Sequence, residues 1–260
     1  MKKFTSLIFL GILTLVSQAQ ELAMVGYPTV FDQTSQSARM AYLTAPCVGF
    51  QLNNRFVKEL NVLKFFGAYP LKTGVWSGMY QTYGYLSYRE HDFSIGLSKV
   101  VTPRWALGLQ VVPKFETFGK RYDSQFSMRV NATSFAKLSS DLYWDSELDI
   151  LFRTSPNTRD DAPLPNFLRM SLNYVFSKQC QTSIQIKQAL PYKTEVSLQV
   201  CYAPVSALVV FGTVGATGDC GFGLQYVFSR TTCRLQTQYR SIIGYSTTIN
   251  LSYQFNNPQN

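Results

Sequence analysis

Three carboxylates at alternate positions, Asp145, Glu147 and Asp149 in "YWDSELDI", are the residues whose type and spacing first suggest chemistry. On a strand, side chains two residues apart stand about 6–7 Å from each other on one face. That is too wide for a single hard cation to be caged without ligands from elsewhere. The spacing fits a ladder of charge better, with Arg129, Arg153 or Arg169 as the opposing cations. A second candidate is the only histidine, His91, in "YREHDFS", a stretch that reads as a short connection between strands. Glu90 or Asp92 could polarise its imidazole as a general base, but no nucleophile motif accompanies it. A solvated histidine is the reading adopted, and the chain is expected not to be an enzyme.

The glycines of "GTVGATGDCGFGLQYVF", residues 212–228, raise the question of a phosphate loop. A Walker loop needs Lys followed by Ser or Thr, and a dinucleotide fingerprint must open a helix. Neither occurs. The segment "GATGD" (215–219) reads as a tight hairpin in which glycine supplies positive φ. Gly221 and Gly223 then fall on a polar-facing parity, where a missing side chain permits close approach of inner groups. Five cysteines, Cys47, Cys180, Cys201, Cys220 and Cys233, show no C-x-x-C spacing, so neither a metal nor another cofactor is expected. Cys180 and Cys201 come nearly opposite each other across a hairpin, but with parities that differ by one, and free thiols are expected.

The elements that would position these residues are strands. Apolar and polar residues alternate with period 2 in segment after segment: Trp144, Leu148, Ile150 and Phe152 oppose the acidic row; Leu168, Met170 and Leu172 oppose Arg169 and Ser171; Leu235 and Tyr239 oppose Arg234, Gln236, Gln238 and Arg240. Val196 and Leu198 likewise oppose Glu195, while Lys187 falls on the polar parity of its own segment. About fourteen such strands fit the chain, the first near 41–52 and the last near 245–255. At roughly 10 residues each they leave hardly any room for another domain.

The opening "MKKFTSLIFLGILTLVSQA" has two lysines, an apolar stretch shorter than a membrane helix and a small-x-small site, which predicts a signal peptide over residues 1–19. Residues 20–38 would form a periplasmic or lumen-plugging segment and 39–256 the barrel. The formal charge of +9 is spread out, without a basic run; in an exported chain this argues against nucleic acid as a partner.

A soluble sandwich alternates too, but the connections sort by rim. "VTPR" (101–104), "SKQC" (177–180), "APVS" (203–206) and "SRTT" (229–232) are short, whereas 117–125 and 154–166 on the alternate turns are long. Short turns at one rim and long loops at the other mark an outer-membrane β-barrel. The expected fold is therefore all-β: a single antiparallel transmembrane barrel, with outer-membrane lipid against its apolar parity. The lumen would be lined by Arg129, Asp145, Glu147, Asp149, Arg153, Arg169, Lys187, Glu195, Arg234, Gln236, Gln238 and Arg240.

The stretches "YPTVFDQTSQSARMA" (27–41), "DFSIGLSKVVTPRWALGLQ" (92–110) and the ending "GFGLQYVF…GYSTTINLSYQF" resemble the fatty-acid-transporter-type outer-membrane barrels and the related barrels of the type IX secretion apparatus. The resemblance implies fourteen strands and an N-terminal segment that enters the lumen. Two functions follow as expectations. One is a channel or carrier for small or amphipathic solutes, including a hydrophobic small molecule. The other is a closed scaffold whose long loops meet other envelope proteins.

Overall fold

The computed structural model describes residues 37–55, 61–85, 88–118, 124–153, 167–189, 194–241 and 244–255. The leader expected over 1–19, most of segment 20–38 and loop 154–166 lie outside them.

Fourteen antiparallel strands close into one barrel. They are β1 (Cys47–Arg55), β2 (Val62–Leu71), β3 (Gly74–Tyr85), β4 (Tyr88–Thr102), β5 (Trp105–Phe118), β6 (Gln125–Lys137) and β7 (Leu142–Arg153), followed by β8 (Phe167–Ser177), β9 (Cys180–Ala189), β10 (Glu195–Val205), β11 (Leu208–Gly215), β12 (Cys220–Phe228), β13 (Thr231–Arg240) and β14 (Gly244–Gln254). Each strand pairs with its neighbour in sequence, and the β1–β14 ladder, in which Cys47 faces Gln254, completes the ring. Closure leaves no edge strand, so every ladder hydrogen bond is made within the wall, as a hydrocarbon surrounding demands.

The alternation of the sequence becomes the two faces of this wall. Phe65, Trp76, Ile95, Leu109, Leu224 and Ile249 point outward and are exposed; the polar rows point inward. An apolar exterior of this extent is a surface built for lipid. At the rim that carries both chain ends, the outward side chains are aromatic: Trp76, Trp105, Phe176, Tyr202, Phe228 and Phe255. Toward the opposite rim stand Tyr80, Phe115, Phe126, Phe152, Tyr239 and Tyr245. Two aromatic girdles flanking an apolar band are what the two membrane interfaces select.

The turns sort in part as the sequence predicts. Residues 72–73, 103–104, 138–141, 178–179, 206–207 and 229–230 connect strands at the rim of the chain ends, and the long 119–124 and 154–166 connect at the other, which also carries the short connections 86–87, 216–219 and 241–243. The glycine segment is a hairpin: Gly215 N–H donates to the Asp219 carbonyl at 2.7 Å, and Gly218 adopts φ +83°.

Two local expectations are corrected. The first strand begins at Cys47 rather than near 41, because residues Ser37–Tyr42 form a 3-10 turn instead. His91 lies within β4, not in a connection. Strand geometry sends it outward, where its Nδ1 is 2.9 Å from the Tyr80 hydroxyl and the two rings stack. Glu90 and Asp92, at the opposite parity, face the lumen and ion-pair with Lys114 and Arg129. The three residues of "EHD" therefore cannot act as one catalytic group.

All five cysteines are free thiols. Tyr202 pairs with Cys180, and Cys201 pairs with Gln181. The one-residue offset places the two sulfurs on opposite faces of the wall.

Candidate functional site in the barrel lumen

The lumen is filled on one side and hollow on the other. The filling begins with the turn Ser37–Tyr42, which crosses the bore at the level of the short-turn rim. Its backbone is bound to the wall: Ala38 N–H donates to Thr133 Oγ1 at 2.9 Å, and Ser98 Oγ donates to the Ser37 carbonyl at 2.5 Å. Its apolar side chains divide between two small cores. Met40, wholly buried, joins Cys47, Phe66, Ala68 and Val75 on β1–β3, and Ala38 joins Phe135 and Tyr143 on β6 and β7. Burying one such methionine is worth about 1.5–3 kcal/mol.

This approach depends on Gly108. Its position on β5 faces inward directly beneath the turn, and a Cβ there would lie 2.6 Å from Ala38 N and 2.6 Å from Thr133 Oγ1. Only glycine leaves the backbone of the inserted turn room to reach the wall.

Arg39 completes the turn. Its guanidinium lies 5.2 Å from the centre of the Phe135 ring and forms a two-point ion pair with Asp145 of β7, both residues being buried. Asn173 Nδ2 donates to the same carboxylate at 2.7 Å and Ser171 Oγ at 3.2 Å. The carboxylate is thus satisfied by three partners from two segments, the turn and β8, the condition under which a buried charge can be kept.

Above the turn, further charges close the β4–β7 side. Lys114 bridges Glu90 at 2.8 Å and Glu116 at 2.7 Å. Arg129 reaches Asp92 at 3.0 Å and Asp149 at 3.6 Å, and Arg169 pairs with Glu147. The acidic row is therefore a ladder in which each carboxylate meets its own arginine: Asp145 with Arg39, Glu147 with Arg169, Asp149 with Arg129.

Across the bore, the inner faces of β8–β13 enclose a cavity of about 620 Å³. Of the residues expected in the lumen, Arg169, Lys187, Glu195, Arg234, Gln236, Gln238 and Arg240 line it. Arg129, Asp145, Glu147 and Asp149 also face inward but belong to the filled side. Arg153 is the last residue of β7, and its side chain lies outside the described residues.

The cavity wall is rich in carboxamides. Gln181, Gln185, Gln199, Gln225, Gln236 and Gln238 line it, with Asn173 among them. Register places several of them on shared levels: Gln199 lies between Ser183 and Thr213, and Gly221 between Thr213 and Gln238. Arg234 is fixed within this wall by an aromatic ring. Its guanidinium carbon lies 4.0 Å from the centre of Phe211, and its Nη2 donates to Gln236 Oε1 at 3.2 Å. The ring in turn lies over Gly223, where a Cβ would come within 2.6 Å of Phe211 Cε2. At the loop-side end, Lys187 sits 3.7 Å from Glu195 and 5.1 Å from the centre of the Phe167 ring.

Arg39, Gly108 and Phe211 are the residues that sequence reasoning missed. Arg39 had no visible partner, since Asp145 is 106 positions away. Phe211 sits in an apolar run, "LVVF", whose parity is not readable from one strand alone.

No protein-family model matches the sequence, and no curated protein does. Solved structures share the fold. The Pseudomonas putida toluene transporter TodX superposes with a TM-score of 0.61 at 10% identity, over 88% of this chain and 94% of that one. The Acinetobacter baumannii outer membrane protein Omp33 gives 0.53 at 9% identity, over 82% and 98%. The KdgM porin gives 0.50 at 8% identity, over 81% and 99%. The chain has the fold of the outer-membrane barrels.

Proposed function

We propose that the chain is an outer-membrane transport protein that passes small polar solutes along the β8–β13 side of its bore. Residues 1–19 would be its leader and residues 20–38 a periplasmic or lumen-plugging segment ahead of the barrel, whose first strand begins at Cys47, with both chain ends in the periplasm. The observation that carries this reading is the polar cavity of about 620 Å³, set against a half-bore packed by the inserted turn and its ion pairs. The shared fold with a toluene transporter and a porin supports transport in general. The lining favours a polar solute over a hydrophobic one, since carboxamides and charged groups would be left without partners by an apolar cargo. No catalytic role is proposed.

The test is a planar-bilayer recording of the purified mature protein. Discrete, stable conductance steps are the expected result. Silence from protein shown to be folded by its heat-modifiable migration would overturn the reading. It would favour the second one, a closed scaffold that meets envelope proteins through 117–125 and 154–166, for which the charge-filled β4–β7 side already speaks.

A further inference from the structure

We propose that the uncharged row of the cavity wall running from Ser183 on β9 to Gln238 on β13 is a recognition site for a neutral polyhydroxylated solute, a sugar or another polyol. This names the solute class of the transport reading and rests on it.

Register sets Ser183 opposite Gln199, Gln199 opposite Thr213, Thr213 opposite Gly221 and Gly221 opposite Gln238, all on the cavity side. Neighbouring strands stand about 4.8 Å apart, so hydroxyls and carboxamides form one continuous band across five strands. On β9 and β10 the adjoining levels are uncharged as well, Gln185 and Ser197 toward the loops and Gln181 and Cys201 toward the chain ends. Lys187 and Glu195 come only at the second level. A hydroxyl is donor and acceptor at once, and a carboxamide holds one of each a fixed distance apart. Such a band matches a solute that carries several hydroxyls. An ion finds no countercharge in the row, and an apolar solute would displace its water without replacing the hydrogen bonds.

The groups of the row are also open to a solute, unlike those of the filled side. There the carboxamides are used within the wall: Asn131 donates to Glu147, Gln110 to Ser94 at 2.7 Å and Asn173 to Asp145 at 2.7 Å. Among the described residues, the side chains of Ser183, Thr213 and Gln238 hydrogen-bond to no protein group, and Gln199 Nε2 has a thiol sulfur, that of Cys201 at 3.5 Å. Sulfur is a weak acceptor that a hydroxyl can replace. Arg234, buried and held by Phe211 and Gln236, supplies none of these contacts.

Gly221 gives the row its shape. A Cβ at this position would come 2.6 Å from Thr213 Oγ1 and 3.0 Å from Gln238 Cγ. Thr213 and Gln238 therefore lean over the gap from the strands on either side, and the missing side chain leaves a notch between a hydroxyl and a carboxamide. The cavity of about 620 Å³ around it has the size of small-molecule sites, about 300–1,000 Å³.

The experiment is saturation-transfer NMR of sugars with the mature protein in lauryldimethylamine oxide micelles, which carry no sugar head group. Maltose and lactose are the neutral probes, and lactobionate is the anionic counterpart of lactose. Saturable binding of at least one neutral sugar is expected, with lactose no weaker than lactobionate. Gln199→Leu and Gln238→Leu, each checked for heat-modifiable migration, are expected to weaken the neutral sugar about threefold to tenfold, the worth of a neutral hydrogen bond. Gln254→Leu on β14, outside the cavity, is expected to leave it unchanged. The proposal is overturned by the lack of a saturable signal from both neutral sugars, by lactobionate binding tenfold more tightly than lactose, or by parental affinity in both cavity variants. A barrel that conducts but fails these titrations keeps the transport reading and loses this one; a folded barrel that does not conduct loses the transport reading itself.

Discussion

Arg39 of the inserted turn and Asp145 of β7 form a buried, two-point ion pair across 106 residues of chain, and Asn173 and Ser171 complete the carboxylate's coordination. Removing one partner of such a pair leaves a stranded charge, at a cost of about 3–5 kcal/mol. Arg39→Leu is therefore expected to loosen the turn while the barrel stays closed. Exchange of the Ala38 and Leu43 amides, now bonded to Thr133 and to the Met40 carbonyl, should rise by about a hundredfold or more, as that free energy implies. Unchanged exchange would show that the apolar contacts alone hold the turn.

Gly108→Ala tests the same insertion by sterics. The added methyl would meet Ala38 N and Thr133 Oγ1 at 2.6 Å, an overpacking expected to cost about 1–3 kcal/mol. Gly212→Ala is the control, because its nearest neighbour would be 3.9 Å away. Urea unfolding in detergent micelles should separate the two variants, with only the first destabilised.

Lipid and lumen faces should answer differently to one added charge. Leu224→Arg places a cation on the exposed apolar face of β12, whereas the adjacent Gln225→Arg places it on the cavity wall. The first is expected to cost about 2–4 kcal/mol near the bilayer midplane. The second should lie within about 0.5 kcal/mol of the parent, since a wet wall solvates the charge. Unfolding in lipid vesicles measures both, and equal costs would contradict the facing assigned here.

Charge reversal should move ion preference on the hollow side only. Arg240→Glu alters the cavity lining and is expected to shift the reversal potential in a salt gradient toward cations. Glu116→Gln, on the filled side beside Lys114, is expected to leave the reversal potential in place. A shift of equal size in both would mean that ions also pass through the β4–β7 half.

Thiol labelling gives a further check on the wall. Cys201 lines the cavity, while Cys233 is exposed at the outward parity of β13. A charged, water-soluble maleimide should modify Cys201 and spare Cys233 in lipid vesicles. The reverse pattern would require the strands to be turned inside out.

Most of the wall was legible in the sequence, because a transmembrane strand repeats one rule every two residues. Leu235 and Tyr239 against Arg234 and Gln236 already state which way each side chain points. The short turns and the glycine hairpin were legible for the same local reason. What was not legible depends on contacts between distant segments. "SARMAY" reads as a continuation toward a strand, and only the Arg39–Asp145 pair and the space above Gly108 make it a turn inside the bore. His91 misled in the opposite way: its acidic neighbours in sequence are on the other side of the wall, since adjacent residues of a strand never share a face.

The half-filled bore separates two demands that usually compete within one set of residues. The β4–β7 side, with its inserted turn and saturated ion pairs, serves as ballast: it holds the ring closed and tolerates little change. The β9–β13 side is left as a filter, since the ion pairs and hydrogen bonds that hold the acidic row reach no further than Arg169, Ser171 and Asn173 of β8. A lineage carrying this barrel could exchange glutamines, arginines or Phe211 on that wall and acquire a new cargo while keeping its means of folding and inserting intact.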